Sequence, residues 1–281
     1  MLGVPSCVSV PEVVASGHIG CMGQIDGRSG ARGPDAGAGG GSRQVSERLV
    51  PWLLLLLAAS AGALDAVCLI RLGGLFASVI TGNLVQLGRS VATVDLALLV
   101  GAVTSVGGYA VGVAVGSLGL RRPGRQRRGA DRPRAVGGWG RRAGVVAAGE
   151  FVLLVAVAVG WVASAAWPPQ WLATQLLGVG AAAMGVQSAL SIESGAGSAS
   201  TTYLTGTLTA VVRTLSGTPW RRSGVAGGVA RLAALLCGAA AGTVLLDVAQ
   251  LYVVLLPVAL VGTVAAVMLA ATRRPRPAVR R

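Results

Sequence analysis

Two short stretches of this 281-residue chain set polar side chains inside apolar surroundings: SVITGNLVQLG (78–88) and TTYLTGTLTAVV (201–212). Asn83 is the only asparagine in the chain, and Thr207 occupies the matching place in the second stretch. Amides and hydroxyls at such positions can hydrogen-bond a polar solute. They can equally satisfy backbone groups freed where a helix breaks. Gly82 would permit a turn at the first tip. Two further polar residues accompany them, Asp65 in GALDAV (62–67) and Gln187 in AMGVQS (183–188). An acid at the bilayer centre costs ~2.5–3.5 kcal/mol, so Asp65 must face protein, water or a partner. It could couple protons or attract a cation, or it could be a neutral, hydrogen-bonded cap of the first polar stretch. The candidate solute-binding set is therefore Asp65, Thr81, Gly82, Asn83, Gln187, Thr205, Gly206 and Thr207.

Other chemistry finds little support. The four cysteines (Cys7, Cys21, Cys68, Cys237) show no CxxC spacing, so neither a metal site nor a disulfide framework is indicated. Cys68 and Cys237 read as small packing residues. The single histidine, His18, lies in the N-terminal tail. There are no paired catalytic carboxylates, no Ser/His arrangement and no GxxxxGK[ST] nucleotide motif. No enzyme activity, metal or cofactor is expected.

These residues must be positioned by a membrane fold. Apolar residues make up 53% of the chain and charged residues 12%, about half the charge of a soluble domain. The net charge of +14 comes from arginines clustered between apolar runs, as topology determinants are, and nucleic acid is not an expected partner. Six uncharged or nearly uncharged runs, 52–70, 96–119, 143–166, 171–190, 224–246 and 249–271, are long enough to cross the ~30 Å hydrocarbon layer. Pro51 suits a first helical turn, and WPPQW (167–171) an interfacial turn with two tryptophans. Residues 1–45, low in apolar content and Gly-rich, are expected to be a disordered extension. Residues 46–272 form the membrane domain, with a first half at 50–166 and a second at 171–271. A basic tail follows at 273–281.

The 121–142 loop holds nine arginines against Asp131, and the tail holds five with no acid. Both are assigned to the cytoplasm, and with them both termini. Counting spans from there, 71–95 begins and ends outside while 191–223 begins and ends inside. The TGN and TGT stretches then read as re-entrant hairpins from opposite faces, each arm of the first reaching ~13 Å. A full helix over 73–90 is the alternative, giving eight spans. An internal repeat joins the halves: Thr81 matches Thr205, and Gly112 and Gly116 match Gly238 and Gly242, both pairs at the small-xxx-small spacing of closely packed membrane helices. Asp65 aligns with Gln187 at an offset of 122. The fold class expected is an all-α polytopic membrane protein, about six spans plus two re-entrant segments, arranged as an inverted repeat.

SAGALDAVCLIRLGGLFASVITGNLVQLG (60–88), AAAMGVQSAL (181–190) and TTYLTGTLT (201–209) resemble the signatures of the YoaK-like family, bacterial inner-membrane proteins with a domain of unknown function. The resemblance covers roughly residues 50–272. It implies about six spans and a plasma-membrane location, and it supplies no substrate or reaction. Arg71 departs from it, since similar sequences tend to be apolar there.

Glu150 and Arg231 each lie about eight residues inside the cytoplasmic end of a span, in opposite halves; an interhelical salt bridge and snorkelling are both open to them. The functional expectation is a small-solute transporter or channel whose site forms where the two tips meet. The alternative is a non-transporting scaffold whose polar tips only satisfy backbone. Expected partners are the lipid bilayer, a small solute and, in a homo-oligomer, further copies of the chain.

Overall fold

A computed structural model describes residues 45–46, 48–121, 139–194, 206, 208–209, 212–213, 216 and 225–273. Thr205, Thr207, residues 1–44, most of the Arg-rich loop and the tail from 274 onward lie outside the described residues. The fold is all-helical. In chain order the helices are α1 (Val50–Arg71), α2 (Ile80–Thr93), α3 (Leu96–Leu120), α4 (Arg141–Ala163), α5 (Gln170–Glu193), α6 (Val225–Val248) and α7 (Leu255–Arg273). A 3-10 turn, Gln250–Tyr252, precedes α7. All but α2 are long and apolar enough to cross a membrane, and the protein is a multi-pass membrane protein.

Local chemistry accounts for the helix ends. Pro51 sits in the first turn of α1, where its missing N–H costs nothing. Asp95 caps α3, its Oδ1 accepting from Leu98 N–H at 3.0 Å. The fourth helix stops at Ala163 rather than at 166, because Ala165 and Ala166 turn left-handed (φ 51° and 65°) ahead of Trp167-Pro168-Pro169. The last helix starts at Leu255 rather than 249, after the 3-10 turn and with Pro257 in its first turn. The packed domain also begins at least one residue early: Val45 is buried and its N–H donates to Trp139 O at 2.8 Å.

Close contacts give the direction of every span. Ala59 meets Gly238 and Ala63 meets Gly242, so α1 and α6 run parallel. Gly108 meets Gly178 and Gly112 meets Ala182, so α3 and α5 run parallel. Gly144 meets Leu269 while Phe151 meets Gly262, so α4 and α7 are antiparallel. Gln187 Nε2 donates to Leu57 O at 3.1 Å while Gly180 lies against Leu64, so α1 and α5 are antiparallel. At one end of the bundle, Arg71 reaches Gln250 and Trp161 Nε1 donates to Gln250 O at 3.0 Å. The start of α5 and hence the start of α3 lie at that same end. The chain therefore leaves α1 and enters α3 at one end, and leaves α5 and enters α6 at the other. Eight spans would make α4 parallel to α7 and α1 parallel to α5. Neither holds.

The centre belongs to α1 and α5. Within the most apolar window of each, 72% of residues are buried, against 22% in α3 and α6. The outer helices meet them through small residues, which let backbones approach closely.

Candidate functional site

Between α1 and α3 the chain does not form two helical arms around Gly82. Gly73 and Gly74 take positive φ (99° and 74°) and turn the chain back, which only glycine does without strain. A non-helical stretch runs to Val79, and Thr81-Gly82-Asn83 then lies in the first turn of α2. Gly82 is thus helical. A Cβ there would lie 3.3 Å from the Phe76 ring, so its smallness serves packing.

The non-helical stretch carries backbone groups that a helix would have paired internally, and buried ones need partners. Asp65 on α1 supplies one set: Oδ1 accepts from Ala77 N–H and Ser78 N–H, both at 2.8 Å, and Oδ2 accepts from Ser78 Oγ–H. Asn83 supplies the other. Its Oδ1 accepts from Phe76 N–H at 2.9 Å, and its Nδ2 donates to Phe76 O at 2.6 Å and to Ser105 Oγ at 2.7 Å. Ser105 Oγ donates in turn to Phe76 O at 2.8 Å. Asn83 and Ser105 have no exposed surface. Ser105, on α3, is a participant that no spacing in the sequence pointed to. Thr81 is exposed, and so is Gly206, which is helical.

Gln187 is fully buried and ties α5 to α1 through Leu57 O. Beside it Ser188 accepts from Tyr109 Oη–H of α3 at 2.9 Å, and Ser60 of α1 donates to Pro257 O of α7 at 3.4 Å. The sequence-predicted residues thus fall into two groups, Asp65 with Asn83 around residues 76–78, and Gln187 in the α1–α5 seam. A cavity of about 220 Å³ opens at the Arg71 end, lined by residues including Gly73, Asp95, Gly101, Gln170 and Thr174; Thr81, Gly82 and Asn83 do not line it. At the same end the Arg71 guanidinium stacks 4.2 Å above the Trp167 ring.

Glu150 is the residue whose setting differs most from expectation. It neither snorkels nor pairs with Arg231: it is 0% exposed, and neither carboxyl oxygen has a hydrogen-bond partner. A readable signal was present, because Ala143, Ala147, Glu150, Leu154, Ala158 and Trp161 fall at helical spacing on one face. That face is the buried one.

The glycine contacts come in matched pairs. A Cβ at Gly62 would run into Leu235 O, and one at Gly185 into Tyr109 O. Likewise Gly238 abuts Ala59 O and Gly112 abuts Ala182 O; Gly242 lies on Ala63 and Gly116 on Val186. Gly62, Ala59 and Ala63 precede Gly185, Ala182 and Val186 by 123 residues, so Asp65 corresponds to Ser188 and not, at 122, to Gln187.

The sequence model of a family described as "Protein of unknown function (DUF1275)" matches residues 53–268. No curated protein and no solved structure matches the chain.

Proposed function

The chain belongs to the DUF1275 family, and from that premise we propose that it is a small-solute transporter or channel of the bacterial inner membrane, with both termini cytoplasmic and a finer kinship to the YoaK-like proteins. One observation carries the reading. The α1–α6 contacts, Ala59 on Gly238 and Gly62 under Leu235, are repeated by α5 and α3 as Ala182 on Gly112 and Gly185 under Tyr109, in helices that run the opposite way. Two like units of opposite direction support reading the chain as an inverted repeat, the architecture of alternating access. The solute site would lie between the two excursions. There Asp65 and Asn83 hold the backbone, leaving exposed Thr81 and Gly206, with Thr205 and Thr207 from the second excursion, to meet the solute. The reading treats the chain as a transporter rather than an enzyme, with lipid as its surroundings and self-association compatible with it.

A second reading, a non-transporting scaffold, draws on Asp65 and Asn83 being taken up by residues 76–78. An uptake and efflux screen with mixed polar solutes, using the purified full chain in vesicles, separates the two. The transport reading expects at least one solute to move faster than in protein-free vesicles, and faster than with a Thr81→Trp variant of equal stability. Equal leak for all solutes leaves the scaffold.

A further inference from the structure

A buried acid with nothing to bind is an unusual thing to keep in the middle of a span. The α4–α7 contacts, Gly144 on Leu269 and Phe151 on Gly262, set Glu150 level with buried Val261 and Val264 of α7. Gly160 lies against Leu172 and Leu176 of α5. Ten residues back along α4 and ten forward along antiparallel α5, Glu150 is level with 182–186, where Ala183, Met184 and Val186 are buried. The buried residues level with Glu150 on α5 and α7 are therefore aliphatic side chains and a thioether.

The elements packed against α4 are α3, α5, the 3-10 turn and α7. Their titratable or charged groups are Tyr109, Glu193, Tyr252 and Arg273, and α4 itself adds Arg141 and Arg142. Arg141 and Arg142 lie nine and eight residues away along α4, roughly 12–14 Å at 1.5 Å per residue. Glu193 and Arg273 end their helices at that same bundle end. Tyr252 is exposed at the opposite end, and the Tyr109 hydroxyl is engaged by Ser188. Among the described residues no counter-charge pairs with Glu150. An unpaired carboxylate is not sustainable in such surroundings, so the side chain is held as the neutral acid. A metal cation is the wrong occupant, since it needs several oxygen ligands and no cluster of metal-binding side chains occurs among the described residues.

We propose that Glu150 is an intramembrane proton-binding site. It holds a proton while buried between α4, α5 and α7, and gives it up to water when those helices part. The O–H bond breaks, water takes the proton, and the carboxylate is reprotonated from water before the helices close again. The exchange step rests on the transport reading, since it needs a state in which the seam opens; the protonated resting state does not.

The test is infrared spectroscopy on the full chain in lipid bilayer discs at neutral pH. A carboxylic-acid C=O band is expected in the wild type, lost in Glu150→Gln, which matches the neutral acid in shape and should fold. On transfer to D2O the band should shift to lower frequency as the proton exchanges. Absence of the band, its persistence in Glu150→Gln, or a band that never shifts would each overturn the proposal. So would its disappearance on adding sodium, which would assign a cation instead. Should Glu150→Gln not accumulate, glutamate labelled with carbon-13 in its carboxyl assigns the band in the wild-type chain, with Glu193→Gln as the control that must leave it in place. A protein that keeps the exchangeable band and moves no solute overturns the transport reading alone.

Discussion

Asn83 bonds both backbone polar groups of Phe76, accepting from its N–H at 2.9 Å and donating to its carbonyl at 2.6 Å, as a neighbouring stretch of main chain would. The carboxamide has the one donor and one acceptor that a peptide offers, plus a second donor, which goes to Ser105. This explains why the residue type matters: leucine, valine or alanine would leave Phe76 N–H buried and unpaired. Asn83→Leu is therefore expected to lower stability by ~1–3 kcal/mol. Ser105→Ala should cost less, because Phe76 O keeps the Asn83 donor. Thermal unfolding in lipid discs checks both. An Asn83→Leu protein that melts with the wild type would mean the network holds nothing.

Asp65 does comparable work from the other side. Asp65→Asn should stay close to wild type, since the amide oxygen can keep both backbone bonds and the Ser78 hydroxyl can rotate to accept. Asp65→Leu should be destabilised by ~1–3 kcal/mol for each amide left unpaired, Ala77 and Ser78. If the carboxylate serves only the backbone, Asp65→Asn leaves the pH dependence of any flux unchanged. A displaced pH profile at normal stability would instead make it a proton-coupling group.

Much of this was legible in the residues. Six apolar runs located the spans to within a few residues, except where Pro257 and the 3-10 turn delayed α7. Arginine placement correctly implied that 71–95 starts and ends on one side. The interior of that stretch was not legible. Apolar character alone does not distinguish a helical arm from the non-helical run before Ile80, and the bonds that stabilise it join residues far apart in the chain, such as Phe76 and Ser105. Gly82 sits inside the polar stretch and invites the turn, but Gly73-Gly74 nearby has the better chemistry for it. The setting of Glu150 is hidden for a related reason: its distance from the helix end allows snorkelling, and only the small and apolar residues three and four positions away reveal which face it shares.

Glycine substitutions test the packing. At Gly112 and Gly238 an added Cβ would collide with backbone carbonyl oxygens, of Ala182 and Ala59, which cannot swing aside as a side chain can. Gly112→Ala and Gly238→Ala should each cost about 1–3 kcal/mol, the range for overpacking, and by similar amounts, because the two contacts are alike. Gly149→Ala is the control. Nothing lies within 4 Å of its Cβ, so the change should be neutral or slightly stabilising through helix propensity. Equal behaviour of all three variants would mean that these helix seams are not tight.

Side-specific labelling tests whether the chain between α5 and α6 returns to the side it left. In a cysteine-free background, single cysteines at Ala92, at the end of α2, and at Trp167, in the α4–α5 turn, should react from one side of the membrane. Cysteines at Ala226 and Thr272 should react from the other. None of the four positions is buried within the protein, so silence at any of them does not come from packing inside the bundle. With the second side cytoplasmic, as proposed from the arginines at 121–142, a membrane-impermeant reagent added outside whole cells should reach Ala92 and Trp167 alone. The assignment depends on helix direction: α1 antiparallel to α5, α4 antiparallel to α7, and α1 parallel to α6. If Ala92 and Ala226 label from the same side, the second excursion crosses the bilayer. The corresponding helices α3 and α6 would then run in the same direction, and the opposed-repeat basis for transport would be lost.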